Sequence, residues 1–313
     1  MRYIGRKLFT MIITVLIVTL LVFFAFRVIP GDPVSNMLGT KATPEKVERL
    51  REQLGLNRPL VIRYLEWLRD FFFGDMGRSY TYGSAVKSML ISKIPITIVL
   101  TLMSFVLVVV VSVPLGIYTA KQEDKWYSKA IDVLNQTTMS VPSFFIGMLL
   151  TYIFGLILRW FRPGGFVNYK DDVGGFLAYL IFPAIAIALP KAAMTIKLLK
   201  SSVLTEGKLD YVRTAYSRGN STMDVLYKHV LKNAIIPVIT FLGMTLADIV
   251  AGSLVIEQVF SIPGYGRLLI SSIANRDYPV VQAIIAIIAM IVIVINLFVD
   301  ILYRVLDPRM RGS

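Results

Sequence analysis

Residues 94–118 read IPITIVLTLMSFVLVVVVSVPLGIY, 25 consecutive positions without an Asp, Glu, Lys, Arg or His. At about 1.5 Å of rise per residue a helix of that length is about 37 Å long, enough to cross a hydrocarbon core of about 30 Å. The block is far longer than a strand and shows no strict alternation of apolar and polar side chains, so a helix is the reading its length supports. Inside lipid, a helix also satisfies its own backbone N–H and C=O groups.

Outward from this block, apolar stretches recur at about 8–28, 131–158, 177–199, 234–256 and 278–302, each nearly free of charge through its middle. The expectation is an all-α polytopic membrane protein with six transmembrane helices. Composition agrees, with 56% hydrophobic and 17% charged residues, above and below the usual shares of a soluble domain.

A formal net charge of +13 invites a nucleic-acid reading, but the Lys and Arg residues cluster beside the spans. With the N-terminus inside, Arg2, Arg6 and Lys7 are cytoplasmic, as are Lys121, Lys125 and Lys129, then Lys197 to Lys232, and finally Arg304, Arg309 and Arg311. This asymmetry predicts both termini in the cytoplasm. No nucleic-acid partner is expected; the lipid bilayer is. The segment from about 29 to 93 interleaves its basic residues with Glu45, Glu48, Glu52, Glu66, Asp70 and Asp75, and a loop of that length escapes the charge rule. The first block follows a basic start but is too long for a signal peptide and lacks a small-x-small site before Pro30. It reads as an uncleaved anchor. The chain has no cysteine and a single histidine, His229, so neither a disulfide framework nor a histidine metal cluster is expected.

Organisation follows from these blocks: residues 1–93 hold the first span and an outer helical loop, and residues 94–313 hold five core spans. In the outer loop Thr43, Pro44, Glu45 and Gly55 punctuate a helix over 44–54. After Pro59, Leu60, Tyr64, Leu65, Leu68 and Phe72 recur at helical spacing and predict a second helix with one buried face. The pair reads either as an interfacial cap or as a platform for an extracytoplasmic partner.

The segment from about 200 to 233 is the longest inward-facing stretch. Leu209, Val212 and Ala215 or Tyr216 form a narrow apolar stripe flanked by Lys208, Asp210 and Arg213, which predicts a short amphipathic helix. Gly219 supplies its turn, and Asn220 or Ser221 starts a second helix that runs to Asn233. Such a helix–Gly–helix serves either to touch another protein or to rest on lipid headgroups.

At this segment the sequence resembles the permease subunits of binding-protein-dependent ABC importers, whose cytoplasmic loop docks on an ATPase. The matching stretch is Asp210-Tyr211-Val212-Arg213-Thr214-Ala215-Tyr216-Ser217-Arg218-Gly219. Arg213 and Thr214 stand where Glu and Ala are commonest in the general motif, and Pro237 lies farther from Gly219 than usual. Both departures look like the oligopeptide/dipeptide/nickel branch. Further similarity runs through Ile29-Pro30-Gly31-Asp32-Pro33, Leu54-Gly55-Leu56-Asn57-Arg58-Pro59-Leu60, Phe73-Gly74-Asp75-Met76-Gly77 and Val141-Pro142-Ser143-Phe144-Phe145-Ile146-Gly147. It continues through Glu257-Gln258-Val259-Phe260-Ser261-Ile262-Pro263-Gly264-Tyr265-Gly266-Arg267 and the terminal Asp307-Pro308-Arg309. Each motif alone is weak; their joint order is specific, and the long outer loop looks like the B-type permease of such pairs.

The resemblance implies an ABC type I importer permease fold in a bacterial or archaeal cytoplasmic (inner) membrane. It implies half of a translocation pathway for peptides, with nickel or a metal chelate as the alternative cargo. Expected partners are a homologous second permease, two ABC ATPases and an extracytoplasmic substrate-binding protein. The chain itself is expected to be non-catalytic and free of cofactor, with ATP and Mg in the ATPases, since no G-x-x-x-x-G-K-[ST] run occurs in it. Asp210, Tyr211, Val212, Arg213, Thr214, Ala215 and Gly219 carry the ATPase coupling by this resemblance. Ile262, Pro263 and Gly264 form part of an outer gate by the same analogy.

The pathway residues come from a physical argument instead. An acidic side chain within a span is costly and marks function by default. Asp248 sits midway along the fifth span, with Thr245 and Gly252 at helical spacing on the same face. The reading is either a meeting point for a cationic group of the cargo or a structural hydrogen bond. Asp300 precedes Arg304 by four residues, which predicts a local ion pair. Met139, Met148, Met194 and Met244 are expected in packing, and Pro142, Pro183, Pro190 and Pro237 lie in or beside helices, where each either kinks the span as a hinge or serves ordinary packing. A secondary transporter is the first rival class, but no convincing repeat between the first and last three spans supports it. An intramembrane hydrolase, the second, would have one histidine and no cysteine to build from.

Overall fold

The computed structural model describes residues 2–28, 33–38 and 43–306. The 29–32 part of the first motif, Asp307-Pro308-Arg309 and the side chain of Arg304 lie outside the described residues. Among those described, the chain is helical apart from one isolated bridge between Arg78 and Ala85. The helices are α1 (Arg2–Val28), α2 (Pro33–Leu38), α3 (Pro44–Gln53), α4 (Leu60–Phe72), α5 (Val86–Ile91), α6 (Ile94–Lys121) and α7 (Trp126–Ser140). They continue as α8 (Ser143–Leu150, prolonged as a π-helix to Ile157), α9 (Val173–Glu206) and α10 (Asp210–Ser217). Last come α11 (Thr222–Asp224, prolonged as a π-helix to Val230), α12 (Leu231–Val259), α13 (Tyr265–Ala274) and α14 (Tyr278–Leu306).

Four stretches among the described residues are long and apolar enough to cross a membrane: Val86–Lys121, Val173–Glu206, Thr222–Val259 and Tyr278–Leu302. The expected third span is not one straight helix. α7 and α8 meet at a 101° bend, where Val141 is extended and Pro142 caps α8. Proline removes a donor and disfavours helical backbone in the residue before it, so the chain turns there. By contrast Pro114, Pro183, Pro190 and Pro237 are carried inside continuous helices. The apolar part of α1, Phe9–Ala25, is shorter than the other spans.

The chain divides into two compact units, residues 1–97 with 263–293, and residues 98–262 with 294–313. In the first, α4 lies on α1. Tyr64 and Phe71 are buried, and Phe23, Tyr64, Trp67 and Phe71 form a chain of rings with centroids 5.3 to 6.4 Å apart. The Tyr64 hydroxyl donates to the Leu16 carbonyl at 3.2 Å and meets Thr19 Oγ1 at 3.0 Å. The buried face of α4 is therefore rotated from the one expected, and Leu65 and Phe72 are exposed. Helix α3 matches its punctuation, with Pro44 in its first turn and Gly55 at φ +64° beyond its end. The Thr43 side chain itself makes no capping bond.

The same unit carries a buried carboxylate. Asp277, fully buried, accepts from the Ser79 hydroxyl and from the backbone N–H of Tyr80 at 2.9 Å and Thr81 at 3.2 Å. Three main-chain bonds close residues 77–86 around this anchor: Ser79 N to Ser84 O, Gly83 N to Ser79 O and Val86 N to Gly77 O.

In the second unit α9 is the hub, packed by α7, α8 and α12. Its buried face is rich in alanine, with Ala184, Ala186, Ala188, Ala192 and Ala193 all nearly inaccessible. Small residues let membrane helices approach closely. At Gly116 an added Cβ would stand 2.8 Å from Leu199, and at Gly147 it would stand 3.2 Å from Ile256.

Candidate functional site

The segment between α9 and α12 begins where α9 ends at Glu206 and turns through Lys208 N to Thr205 O and Leu209 N to Glu206 O. Leu209 is extended and releases α10 in a new direction. Of the expected apolar stripe, Val212 and Ala215 are buried, while Leu209 and Tyr216 remain exposed. These two small contacts seat α10 on the Val225–Val230 segment. Asp210, Arg213, Thr214, Ser217 and Arg218 all stand on the open side. Arg213 and Asp210 approach at 3.7 Å with both side chains largely in the open, a pair that contributes little to stability.

Tyr211 ties this helix to both neighbouring spans. Its hydroxyl donates to Glu206 Oε2 at 2.7 Å and accepts from Asn233 Nδ2 at 3.1 Å. Burial pushes the Tyr211 phenol above its usual range, so it stays a neutral donor to the carboxylate. Glu206 closes α9 and Asn233 lies in the first turn of α12. One hydroxyl thus links α10 to the end of α9 and the start of α12. No local pattern in the sequence pairs Tyr211 with Asn233, which lies 22 residues away.

The turn after α10 is made by Gly219 at φ +80°, with open space around the position of a Cβ. Backbone conformation rather than crowding is what requires glycine there. The Asn220 amide donates to the Ala215 carbonyl at 3.0 Å, closing the end of α10. Ser221 caps the next helix, its Oγ accepting from Asp224 N at 3.2 Å. That helix does not end at Asn233 as expected. It continues through a π-helical turn into α12, so Thr222–Val259 forms one continuous rod.

On α12 the expected trio separates. Thr245 is buried and its hydroxyl bonds back to the Phe241 carbonyl at 2.8 Å. Asp248 faces outward and pairs with Lys191 of α9 at 2.7 Å, with 65% of the Asp248 side chain and 26% of the Lys191 side chain exposed. Gly252 has open space around it. The residues that share the outward stripe with Asp248 are Met244, Ala251, Val255 and Gln258. Met244 thus lies on an open face rather than in packing, as does Met148 on α8. Lys191 carries no local signal in the sequence, because a cation inside a long apolar block hardly changes its mean hydropathy.

The Ile262-Pro263-Gly264 turn is well packed. Ile262 and Gly264 are buried, Ser261 takes φ +56°, and Ile262 N bonds the Glu257 carbonyl at 2.8 Å. The Pro263 carbonyl accepts from Lys93 Nζ at 3.1 Å. No group of three or more His, Cys, Asp or Glu side chains capable of holding a metal exists among the described residues.

Two family models cover the chain. One, described as the binding-protein-dependent transport system inner membrane component, matches residues 112–312. The other, its N-terminal counterpart, matches residues 1–101. Among relatives, a putative peptide transport system permease protein of Brucella abortus is 38% identical over 296 residues, 95% of this chain and 94% of the relative. The oligopeptide transport system permease protein AppB of Bacillus subtilis is 35% identical over 312 residues, 99% of each chain. A probable peptide ABC transporter permease protein of Sinorhizobium fredii is 34% identical over 309 residues, again 99% of each. A polar helix seated by Val212 and Ala215 between two long spans, together with matches that run nearly end to end, identifies this multi-pass membrane protein as a member of the binding-protein-dependent transport system inner membrane component family.

Proposed function

We propose that this chain is the membrane-spanning permease subunit of an ATP-driven peptide importer, and that α10 is its docking element for an ATPase carried on another chain. The observation that carries this reading is the construction of α10: two buried small contacts, an open polar side and a tyrosine tether to both adjoining spans. A surface built that way transmits displacement without chemistry of its own. ATP-driven closure of the ATPases would push α10, and the rods α9 and α12 would carry the motion into the membrane as a shift between two packed states.

Peptide cargo is supported by the relatives, whose names specify peptide or oligopeptide transport, and is preferred to nickel or a metal chelate for that reason. In this reading α1 is the first of six crossings and both termini are cytoplasmic, so that α10 faces the compartment that holds ATP. A second homologous permease completes the pathway, two ATPases bind Mg and ATP, and a substrate-binding protein delivers cargo from outside a bacterial or archaeal inner membrane. The outward stripe of α12 around Asp248 then faces the pathway, and the Ile262-Pro263-Gly264 turn closes its outer end.

The direct test is affinity capture of the co-expressed ATPases by the detergent-solubilised permease. Arg213→Glu on the open side of α10 is expected to lower capture several-fold while the permease remains in the membrane. Undiminished capture would remove α10 from the docking surface.

A further inference from the structure

Between α7 and α9, along the last three turns of α9 before the coupling segment, lies a cavity of about 530 Å³. Its walls carry Asp132, Asn135, Gln136, Lys197, Lys200 and Lys208. Three lysines therefore line the cavity with one aspartate, an excess of two positive charges. Lys200 is committed, at 2.6 Å from Asp132 Oδ2 and 3.2 Å from Ser128 Oγ. Lys197 has only a neutral acceptor, Gln136 Oε1 at 3.1 Å. Asn135, nine-tenths buried, contributes an amide Nδ2 that no atom of the chain accepts. A buried donor left without an acceptor is costly, and a ligand bringing anionic oxygens meets both this donor and the excess charge.

The surroundings choose among anions. Trp126, at the start of α7, is 78% exposed, the position an amphipathic ring takes at a membrane interface. Asp132 follows six residues later, about 9 Å deeper along the helix. Beside the cavity on the same helix, Val133 and Leu134 are 66% and 65% exposed, offering an apolar strip to an acyl chain. We propose that this cavity binds the phosphate group of an acidic phospholipid, with the headgroup among Lys197, Lys208 and Asn135 and an acyl chain along Val133 and Leu134. Basic pockets between membrane helices suit such headgroups. Because the cavity wall is the end of α9 that leads into α10, an occupied site clamps α7 to the rod that carries α10. The inference rests on the chain being a membrane protein and is independent of what it transports.

Native mass spectrometry of the full-length permease in neutral detergent tests this with three probes: phosphatidylglycerol, phosphatidylcholine and inorganic phosphate. The wild-type chain is expected to retain one phosphatidylglycerol, which the Lys197→Gln/Lys208→Gln variant binds about tenfold or more weakly. Lys208→Gln alone, at an exposed position, gives a smaller loss in the same direction. Phosphatidylcholine binding is expected to be weaker and the same in all forms, and millimolar inorganic phosphate is expected to leave the lipid in place. Equal phosphatidylglycerol binding by wild type and the doubly substituted chain, with thermal melting unchanged, would overturn the site. Displacement by inorganic phosphate would overturn the lipid assignment in favour of a free-phosphate site.

Discussion

Lys191 of α9 and Asp248 of α12 meet at 2.7 Å across 57 residues of chain, both within membrane-length helices. In hydrocarbon an unpaired charge costs about 2.5–3.5 kcal/mol at the centre of a span. Pairing answers that cost while leaving Asp248 accessible from the open side. Asp248→Asn and Lys191→Met are each expected to lower peptide uptake about tenfold, and the combined variant is expected to recover most of the membrane-inserted protein. A coupling of about 0.5–3 kcal/mol between the two sites is the expected size. Strictly additive losses would refute the pair. A loss confined to peptides with a charged amino terminus assigns Asp248 to cargo, and an equal loss for every peptide assigns it to structure.

The Tyr211 hydroxyl, held by Glu206 and Asn233, is expected to matter for transmission more than for folding. Tyr211→Phe keeps the ring and removes about 0.5–1.5 kcal/mol per hydrogen bond. ATPase capture should stay near wild type while peptide uptake per ATP hydrolysed falls several-fold. Uptake and hydrolysis that fall together would instead mean that the tether serves only to hold α10.

Gly219 takes φ +80° with free space around it. Gly219→Ala is expected to cost about 1–2 kcal/mol of local stability, the penalty for a Cβ in left-handed backbone, while Gly219→Asn, which tolerates that conformation, costs less. Limited proteolysis between α10 and α11 reads the difference. Equal protection of all three forms would contradict the argument.

Gly243 and Gly252 make a contrast within one helix. A Cβ at Gly243 would run into the side chain of Val299, whereas one at Gly252 meets nothing within 4 Å. Gly243→Val should therefore destabilise the detergent-solubilised protein by about 1–3 kcal/mol, the usual cost of overpacking, and Gly252→Ala should leave its melting temperature unchanged. Similar melting for both would show that α12 and α14 do not pack as described.

Asp277 accepts from Ser79, Tyr80 and Thr81 while fully buried. Hydrogen bonds to a charged group contribute about 1.5–3 kcal/mol each, so Asp277→Ala should loosen the 77–86 segment. Protease cleavage there should rise about tenfold or more with α9–α12 unaffected. Unchanged cleavage would mean that main-chain bonds alone anchor this segment, against the role given to Asp277.

Features set by neighbouring residues were legible in the sequence. Pro44 and Gly55 bracket α3, and Val212, Ala215 and Gly219 mark out α10 and its turn, because caps, stripes and left-handed glycines depend on a few adjacent positions. The rotation of the buried face of α4 was not legible, since Leu65 and Phe72 are as apolar as Trp67 and Phe71, and only the position of α1 decides between them. Nor was the 101° bend at Pro142: Pro183 and Pro190 look the same in sequence yet sit within an unbroken α9. The pairings Lys191–Asp248 and Ser79–Asp277 join residues 57 and 198 positions apart. Such contacts depend on how helices pack, which no local pattern encodes.

The central claim is that this permease moves peptides by energy delivered from ATPases through α10. Its most direct test is peptide uptake into proteoliposomes holding this chain, its partner permease and the ATPases, with the binding protein on the outside, ATP enclosed and all ion gradients collapsed. The expected result is uptake that requires enclosed ATP and the binding protein and is lost in the Arg213→Glu variant. Uptake that proceeds without ATP and follows an imposed ion gradient would contradict it.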